Sequence, residues 1–275
     1  MRGITAGLIL ALVAAPALGQ SRWQHDQCVS QAASDDQIIA GCTALIQGGG
    51  YSPGDLAIEA HDRGKAYLRK RLFDQAVADE TRVIALQPNY PQAYLVRAAA
   101  YSSKGLFDQA IADYAQAIAL QPNDADAYFH RGIAYDQEGL MDQAIADYTQ
   151  AIALKAGNPA WAHHIRGAAY ARKGQYDQAI ADETRAIAIN PELALAYNGR
   201  AWASHLAGRD AEGLPDAAKA VSMDPRNANI IETRAEIYER LGRRDDALAD
   251  YRSALNIAPT LQDARAGLTR LGANP

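Results

Sequence analysis

The heptapeptide DQAIADY occupies residues 108–114 and recurs unchanged at residues 142–148. At residues 177–183 it returns as DQAIADE, with a glutamate in place of the tyrosine. In each copy the alanines and the isoleucine recur at helical spacing, which predicts an amphipathic helix. The same helix is therefore used several times in one chain.

A set of prolines gives the length of the repeating unit. They stand 34 residues apart, except that 69 residues separate the second from the third, which is two units plus one residue. The extra residue lies in the segment AGNP at 156–159. A period of this length indicates a solenoid of repeats. The prolines are Pro88, Pro122, Pro191, Pro225 and Pro259.

Each unit divides into two helical stretches. In the unit 91–124, apolar and small residues recur at helical spacing over 92–104 and again over 108–120. Gly105 separates the two stretches and Pro122 follows the second, so the unit predicts a helical hairpin. One hairpin cannot bury its apolar face alone, whereas stacked neighbours bury it continuously.

These hairpins resemble the tetratricopeptide repeat (TPR) family at specific positions of the 34-residue unit. The shared residues are small at position 8 (Gly64, Ala98, Gly132, Gly167, Ala201, Ala235), tyrosine at position 11 (Tyr67, Tyr101, Tyr135, Tyr170, Tyr238) and alanine at position 20 (Ala76, Ala110, Ala144, Ala179, Ala247). The resemblance implies an all-α, right-handed superhelix of antiparallel helix pairs, with the first helix of each pair lining a concave face. A final capping helix would cover the last unit.

The repeat boundaries give the expected organisation of the chain. It comprises a signal peptide (1–19), a degenerate helical hairpin (20–56), six TPR units (57–90, 91–124, 125–158, 160–193, 194–227, 228–261) and a capping helix with a tail (262–275). The fifth unit departs from the pattern at Ser204 and Gly213. It also contains Pro215 where the second helix should be in its first turns, so we expect that helix to begin late.

The N-terminus MRGITAGLILALVAAPALGQ is typical of a secretory signal peptide. Arg2 precedes an apolar stretch too short to span a bilayer, and Ala17-Leu18-Gly19 is a small-x-small cleavage pattern. We expect a mature chain that begins at Gln20, has no membrane span and is exported, most simply to a bacterial periplasm. Two cysteines in an exported chain favour a disulfide between Cys28 and Cys42, with a pair of buried thiols as the alternative.

One charged pair recurs in every unit. Position 7 is always arginine (Arg63, Arg97, Arg131, Arg166, Arg200, Arg234) and position 23 is always aspartate (Asp79, Asp113, Asp147, Asp182, Asp216, Asp250). Antiparallel helices bring these positions together, where a guanidinium and a carboxylate can form a bidentate pair. We interpret the pairs as a structural ladder; a functional charge stripe is the alternative.

No pattern indicates chemistry. The sequence lacks a P-loop motif and an H-E-x-x-H motif, so we expect no enzyme activity and no cofactor. His61, His130, His164 and His205 lie in different units, and the adjacent His163 and His164 would point about 100° apart on a helix, so we also predict no metal. A net charge of −5 without a lysine or arginine run argues against nucleic acid as a partner.

The resemblance implies that function lies on the inner face, at positions 2, 5, 6, 9, 12 and 13 of each unit. The asparagine that many members place at position 6 is absent here, as is their basic clamp for a C-terminal carboxylate. The expected protein-binding groove is His61, Lys65, Arg69, Leu95, Phe129, His130, Ile133, Trp161, His164, Ile165, Trp202, His205, Glu232, Glu236 and Glu239.

The leading hypothesis is therefore a non-catalytic adaptor that binds a protein or peptide in this groove. The groove would be basic at its start, aromatic in its middle and acidic at its end. The ligand would carry acidic groups at the start and basic groups at the end. A small-molecule or cofactor binder that uses the aromatic and histidine lining is one alternative. A self-assembling structural protein is the other, since the ends of solenoids can stack.

Overall fold

The computed structural model describes residue 28, residues 32–48 and residues 52–274. The predicted signal peptide 1–19 and the expected mature terminus Gln20 lie outside the described residues. Within them the secondary structure consists of helices, and no strand is present. No helix in this part of the chain is long and apolar enough to cross a membrane.

The chain forms two compact units, residues 1–113 and residues 114–275, and their boundary falls inside the fifth described helix. The helices up to that boundary are α1 (Asp35–Gly48), α2 (Pro53–Arg69), α3 (Phe73–Leu86), α4 (Pro91–Ser103) and α5 (Phe107–Leu120). Those that follow are α6 (Ala125–Gln137), α7 (Met141–Ala153), α8 (Pro159–Arg172), α9 (Tyr176–Ile189), α10 (Ala194–Leu206), α11 (Asp210–Met223), α12 (Ala228–Arg240), α13 (Arg244–Ile257) and α14 (Gln262–Arg270).

Several first helices begin at a side-chain cap. Ser52 accepts a hydrogen bond from a backbone N–H at the start of α2, and Asp124, Asn158 and Asn227 do the same for α6, α8 and α12. Such caps satisfy amide donors that have no partner inside the helix. These residues explain why the helices start at regular intervals.

In the first unit, α1 packs on α2, α2 on α3 and α3 on α4, and α2 also contacts α4. Its core includes Ala57, Ala60 and Val83, none more than 1% exposed. Cys28 and Cys42 are joined in a disulfide with their Cα atoms 4.8 Å apart, and the bridge packs beside buried Leu45. The bridge therefore joins the N-terminal side of the unit to α1.

In the second unit, every helix from α6 onward packs against the next one in sequence. The first helices α8, α10 and α12 and the capping helix α14 also contact one another in order, so they form a single row. Alanines such as Ala144, Ala179 and Ala217 are fully buried between the helices. Their small size lets the backbones approach closely, while Tyr148 and Tyr251 fill the wider gaps.

Each arginine of the ladder binds the aspartate sixteen residues later, in the second helix of its own hairpin. The guanidinium Nε and Nη2 donate to the two carboxylate oxygens at 2.7–2.9 Å, a bidentate fork in all six hairpins. In four hairpins Nη1 also donates to a threonine of the preceding helix, at 2.8–3.1 Å. These threonines are Thr43, Thr81, Thr149 and Thr184.

The arginines also lie over tyrosine rings. In five hairpins the guanidinium carbon is 5.7–6.0 Å from the centre of the position 11 ring, a distance at which the ring face attracts a cation. The ladder therefore ties together the two helices of a hairpin and, through the threonines, the hairpin before it. This geometry favours a structural role for the pairs.

The prediction that the second helix of the fifth unit begins late is wrong. α11 begins at Asp210 and continues through Pro215, its sixth residue. Pro215 lacks the N–H that would donate a backbone hydrogen bond near the start of the helix. Ala217 and Ala220, which follow it, are fully buried, and a helical backbone is what places them in the core. A Cβ at Gly213 would lie 3.0 Å from the carbonyl oxygen of Ala201, so glycine keeps the two helices close.

The extra residue of the AGNP segment is absorbed in a turn after α7. Lys155 adopts a left-handed backbone with φ of 62°, and the N–H of Ala156 donates to the carbonyl of Ala151 at 3.0 Å. This hydrogen bond satisfies a terminal carbonyl of α7 before Asn158 caps α8. One inserted residue therefore leaves the packing of α7 against α8 in place.

Replacing Asp147 with alanine should lower the free energy of unfolding by about 1–3 kcal/mol, because it leaves the Arg131 guanidinium half-buried without its partner. Arg131 and Asp147 side chains are 17% and 9% exposed. Asp142→Ala is the matched control, since its carboxylate pairs with Lys173 but is 82% exposed. That change should cost less than about 1 kcal/mol. Equal losses in urea unfolding would contradict a structural role for the ladder.

Candidate functional site

Three adjoining cavities run along the row of first helices in the second unit. Their volumes are about 360, 240 and 400 Å³. The first and second share Asn198, Trp202 and Asn229, and the second and third share Glu236. They therefore form one continuous depression, which we name the unit-2 groove.

The first part of the groove has a mainly apolar wall. Ala168, Ala171 and Leu195 line it together with the ring of Trp202. Small side chains on α8 leave room between that helix and α10, and the amide of Asn198 stands at the edge of this space. The arrangement can hold an apolar side chain beside a polar backbone.

Glu183 lies at the floor of this part of the groove. It is 1% exposed, and both of its carboxylate oxygens lie 3.0 Å from Nδ1 of His164. Burial raises the pKa of Glu183 to about 7, against the opposing effect of the His164 hydrogen bond. A Cβ at position 199 would overlap this carboxylate, so Gly199 makes the space that Glu183 occupies.

The same pair occurs once in the first unit. His61 Nδ1 lies 3.1 Å from both oxygens of Glu80, and burial raises the pKa of that carboxyl. Glu80 and Glu183 both stand at position 24, where the heptapeptide of other units has tyrosine. In both repeats a histidine stands nineteen residues before the glutamate and bonds to it. The histidine and the glutamate therefore act together as one polar pair in the core.

The acidic end of the groove is not uniform. Burial, with repulsion from Glu236 and Asp263, raises the pKa of Glu232 to about 7. Burial also raises the pKa of Glu236. By contrast, a hydrogen bond from Arg270 lowers the pKa of Glu239, which the guanidinium Nε and Nη2 contact at 2.9 Å. Of these three glutamates, only Glu232 and Glu236 have ionised forms that an added cation would stabilise.

His205 stands between these carboxylates and the aromatic part of the groove. Its Nδ1 bonds to Asp210, and its Nε2 lies 4.0 Å from Glu236. Its ring stacks on Trp202 with the centroids 5.3 Å apart. These contacts fix the indole against one side of the groove.

Comparison with known families agrees with this architecture. A model described as TPR repeat matches residues 99–139, and models described as tetratricopeptide repeat match residues 125–158, 162–193 and 228–261. The chain belongs to the tetratricopeptide repeat family. Among curated proteins, none matches the sequence significantly.

Solved structures with the same fold include other TPR proteins. PilW, described as a type IV pilus biogenesis factor, is 22% identical over 78% of this chain and 98% of its own, with a TM-score of 0.68. The C-terminal part of a TPR repeat-containing protein from Cytophaga hutchinsonii is 19% identical over 90% and 99%, with a TM-score of 0.69. YrrB, described as a TPR protein with an unusual peptide-binding site, is 22% identical over 69% and 97%, with a TM-score of 0.56. The prediction of an all-α TPR fold is confirmed.

The groove of this TPR chain collects only some of the residues expected to line it. Those that line its cavities are His164, Trp202, His205, Glu232, Glu236 and Glu239. Trp161 lies beside them, with its ring 5.1 Å from that of His164. All of these residues belong to the second unit.

The other expected residues lie elsewhere in their units. Phe129, Ile133 and Ile165 pack against the buried cluster around Tyr148, because aromatic and branched side chains gain more from the core than from water. His130 is exposed and stacks on Tyr114 at 6.2 Å.

The residues expected at the basic start of the groove lie in the first unit. His61 is 6% exposed and belongs to its core. Lys65 pairs with Asp62 at 2.8 Å and Arg69 pairs with Asp35, so their charges are already balanced. Leu95 is half-buried in the same unit.

Sequence reasoning missed several residues that line the groove. They are Ala168, Ala171, Arg172, Glu183, Leu195, Asn198, Gly199, Asn229, Thr233, Arg240, Asp263 and Arg270. The change from DQAIADY to DQAIADE was a usable signal for Glu183, since a glutamate at a core position requires a partner. Asn198 and Asn229 stand at positions 5 and 2 of their units, so the inner-face register was the signal that could have found them.

No metal site unites the histidines that the structure describes. Among the described residues, only Cys28, Cys42 and Glu59 bring three potential ligand atoms close together, and the two sulfur atoms are bonded to each other. His164 and His205 each bond to a carboxylate of their own. The groove therefore offers hydrogen-bonding and charged groups rather than an assembled centre.

The raised pKa of Glu183 makes a testable contribution to stability. The folded state holds this proton more tightly than the unfolded chain, whose carboxyl has an ordinary pKa of 4.5. The contribution is therefore complete below about pH 4.5 and is lost as the pH rises through about 7.

Glu183→Gln replaces the titrating carboxyl with an amide that does not titrate. We therefore expect the unfolding free energy of the variant to fall less between pH 4.5 and 7 than that of the native protein. Urea unfolding at several pH values measures the difference. Glu138→Gln, at an exposed position, is the control and should keep the native dependence. A variant at position 183 with an unchanged pH profile would show that the carboxyl is not held as described.

Proposed function

We propose that this chain is a non-catalytic interaction scaffold that binds an extended segment of another protein in the unit-2 groove. One observation carries the proposal: the depression continues without a break across α8, α10 and α12, with Trp202 at the junction of two of its parts. The TPR fold supports the general role of a protein-interaction scaffold.

The geometry suits an extended segment. Packed helices lie about 8–10 Å apart, and an extended chain advances about 3.3–3.6 Å per residue. Each first helix would therefore face about two to three residues of the ligand. Affinity would grow by one increment of contact with each repeat, as in other solenoids.

The residues that line the groove would make two kinds of contact with the ligand. Trp202 supplies the large aromatic surface that usually dominates the energy of an interface. The side-chain amides of Asn198 and Asn229 offer both donors and acceptors, which match the N–H and C=O groups of an extended backbone. This pairing would do in this chain what a position 6 asparagine does in other family members.

The site of action would be outside the cytoplasm. The signal-peptide pattern of residues 1–19 supports export, and the disulfide between Cys28 and Cys42 suits an oxidising compartment such as a bacterial periplasm. The partner would then be another exported protein or the exported part of a membrane protein.

Site-specific photocrosslinking tests the proposal. Asn229→p-benzoyl-phenylalanine places a crosslinker on the exposed inner face, and Arg185→p-benzoyl-phenylalanine places it on an exposed position of the second helix α9. After irradiation of native cells, we expect a discrete protein adduct from the first position and none from the second.

Adding Trp202→Ala to the Asn229 variant should reduce the adduct at least about fivefold, which corresponds to about 1 kcal/mol of binding energy. Circular dichroism of the same variant checks that the fold is kept. An adduct that forms only from Arg185, or that survives the loss of Trp202, would place the binding surface elsewhere.

A further inference from the structure

The middle cavity of the unit-2 groove has an unusual balance of groups. It occupies about 240 Å³ between α10, α12 and the start of α14. Three carboxylates line it, from Glu232, Glu236 and Asp263, and its lining includes no lysine, arginine or histidine. A cation is therefore the ligand group that this space favours.

Two acceptors in this cavity have no hydrogen-bond partner among the described residues. They are Oδ1 of Asn198 and Oε1 of Glu232, and both atoms are buried. The backbone N–H of Ala264 serves the Glu232 carboxylate, but not this oxygen. Leaving a buried acceptor unsatisfied is costly, so a ligand that brings donors to both atoms would remove that cost.

Two neighbouring basic side chains, Arg270 and His205, already have carboxylate partners. Arg270 holds Glu239 in a bidentate pair, which removes that carboxylate from competition. His205 bonds to Asp210 and approaches Glu236 only to 4.0 Å. The charge of Glu232 and Glu236 is thus left for a group that enters from outside.

The aromatic wall narrows the choice of cation. Trp202 lines the cavity while His205 stacks on its ring, with an angle of 26° between the planes. Tryptophan is the ring that attracts cations most strongly. A guanidinium is planar and has five N–H donors in a fixed fork, so it can stack on the indole and reach several acceptors at once.

We propose that the cavity beside Trp202, here named the Trp202 subsite, receives an arginine side chain of the bound protein segment. This inference rests on the proposed function, because the groove supplies the backbone that would present the arginine. Apolar contacts would be made in the neighbouring part of the groove lined by Ala168, Ala171 and Leu195.

A pair of small probes tests the subsite directly. N-acetyl-arginine N-methylamide carries the guanidinium, and N-acetyl-citrulline N-methylamide has nearly the same shape without the charge. Each is titrated into the mature full-length protein while the indole N–H resonance of Trp202 is followed by NMR. Trp202→Phe assigns that resonance.

We expect the arginine probe to shift the Trp202 resonance and to bind at least about tenfold more tightly than the citrulline probe. Glu232→Gln keeps the shape of the side chain but removes its charge, and should weaken the arginine probe by a similar factor. The control is Asp246→Asn, because this carboxylate lies on the exposed start of α13, outside the groove. It should leave the affinity unchanged.

Equal affinity for the two probes, or arginine binding that Glu232→Gln does not weaken, would overturn the proposal. Its failure is distinguishable from that of the proposed function. Loss of the Asn229 crosslink in Trp202→Ala together with equal probe affinities would keep the groove but reject the arginine. Tight arginine binding without any groove crosslink would keep the subsite but reject the protein partner.

Discussion

The bidentate pair between an arginine of each first helix and an aspartate of each second helix is the constraint on which the rest of this molecule depends. It joins residues sixteen positions apart at 2.7–2.9 Å and recurs in all six hairpins. Because both partners are largely withdrawn from water, neither can be lost without leaving a charge uncompensated. The fixed fork of the guanidinium also sets how the two helices face each other. With the hairpin geometry held in this way, the inner positions of the first helices are free to differ from unit to unit.

The unit-2 groove lies where the inner positions of the first helices differ between repeats. In the unit 125–158, Phe129 and Tyr148 occupy the corresponding positions and pack together with ring centroids 5.7 Å apart. In the unit 160–193, His164 and Glu183 take their places, and Gly199 of the next helix makes room for the carboxylate. The cost of burying this glutamate shows in its raised pKa. The site is thus a local departure from a repeat that the ladder keeps intact around it.

The sequence predicted the hairpins, the ladder partners and the family, because all three depend on residues that recur at a fixed period. It predicted only part of the groove lining, because the lining depends on which side chains pack into the core. Phe129 and Ile165 stand at inner-face positions 5 and 6, as Trp202 stands at inner-face position 9, yet they pack against the core around Tyr148. His61 was expected to line the groove and is buried, with its Nδ1 3.1 Å from the buried Glu80 carboxylate. Pro215 was expected to delay a helix, but burial of the alanines beyond it outweighs one lost hydrogen bond.

The division between a ladder that holds the fold and an inner row that binds is the central claim, and hydrogen exchange tests it most directly. Amide exchange is measured for the protein alone and for its non-covalent complex with the partner that the crosslinking experiment identifies. That complex is purified without irradiation. The account predicts slower exchange in α8, α10 and α12 on binding, with little change in α9, α11 and α13. Protection confined to the second helices, or to residues before Asp113, would contradict it.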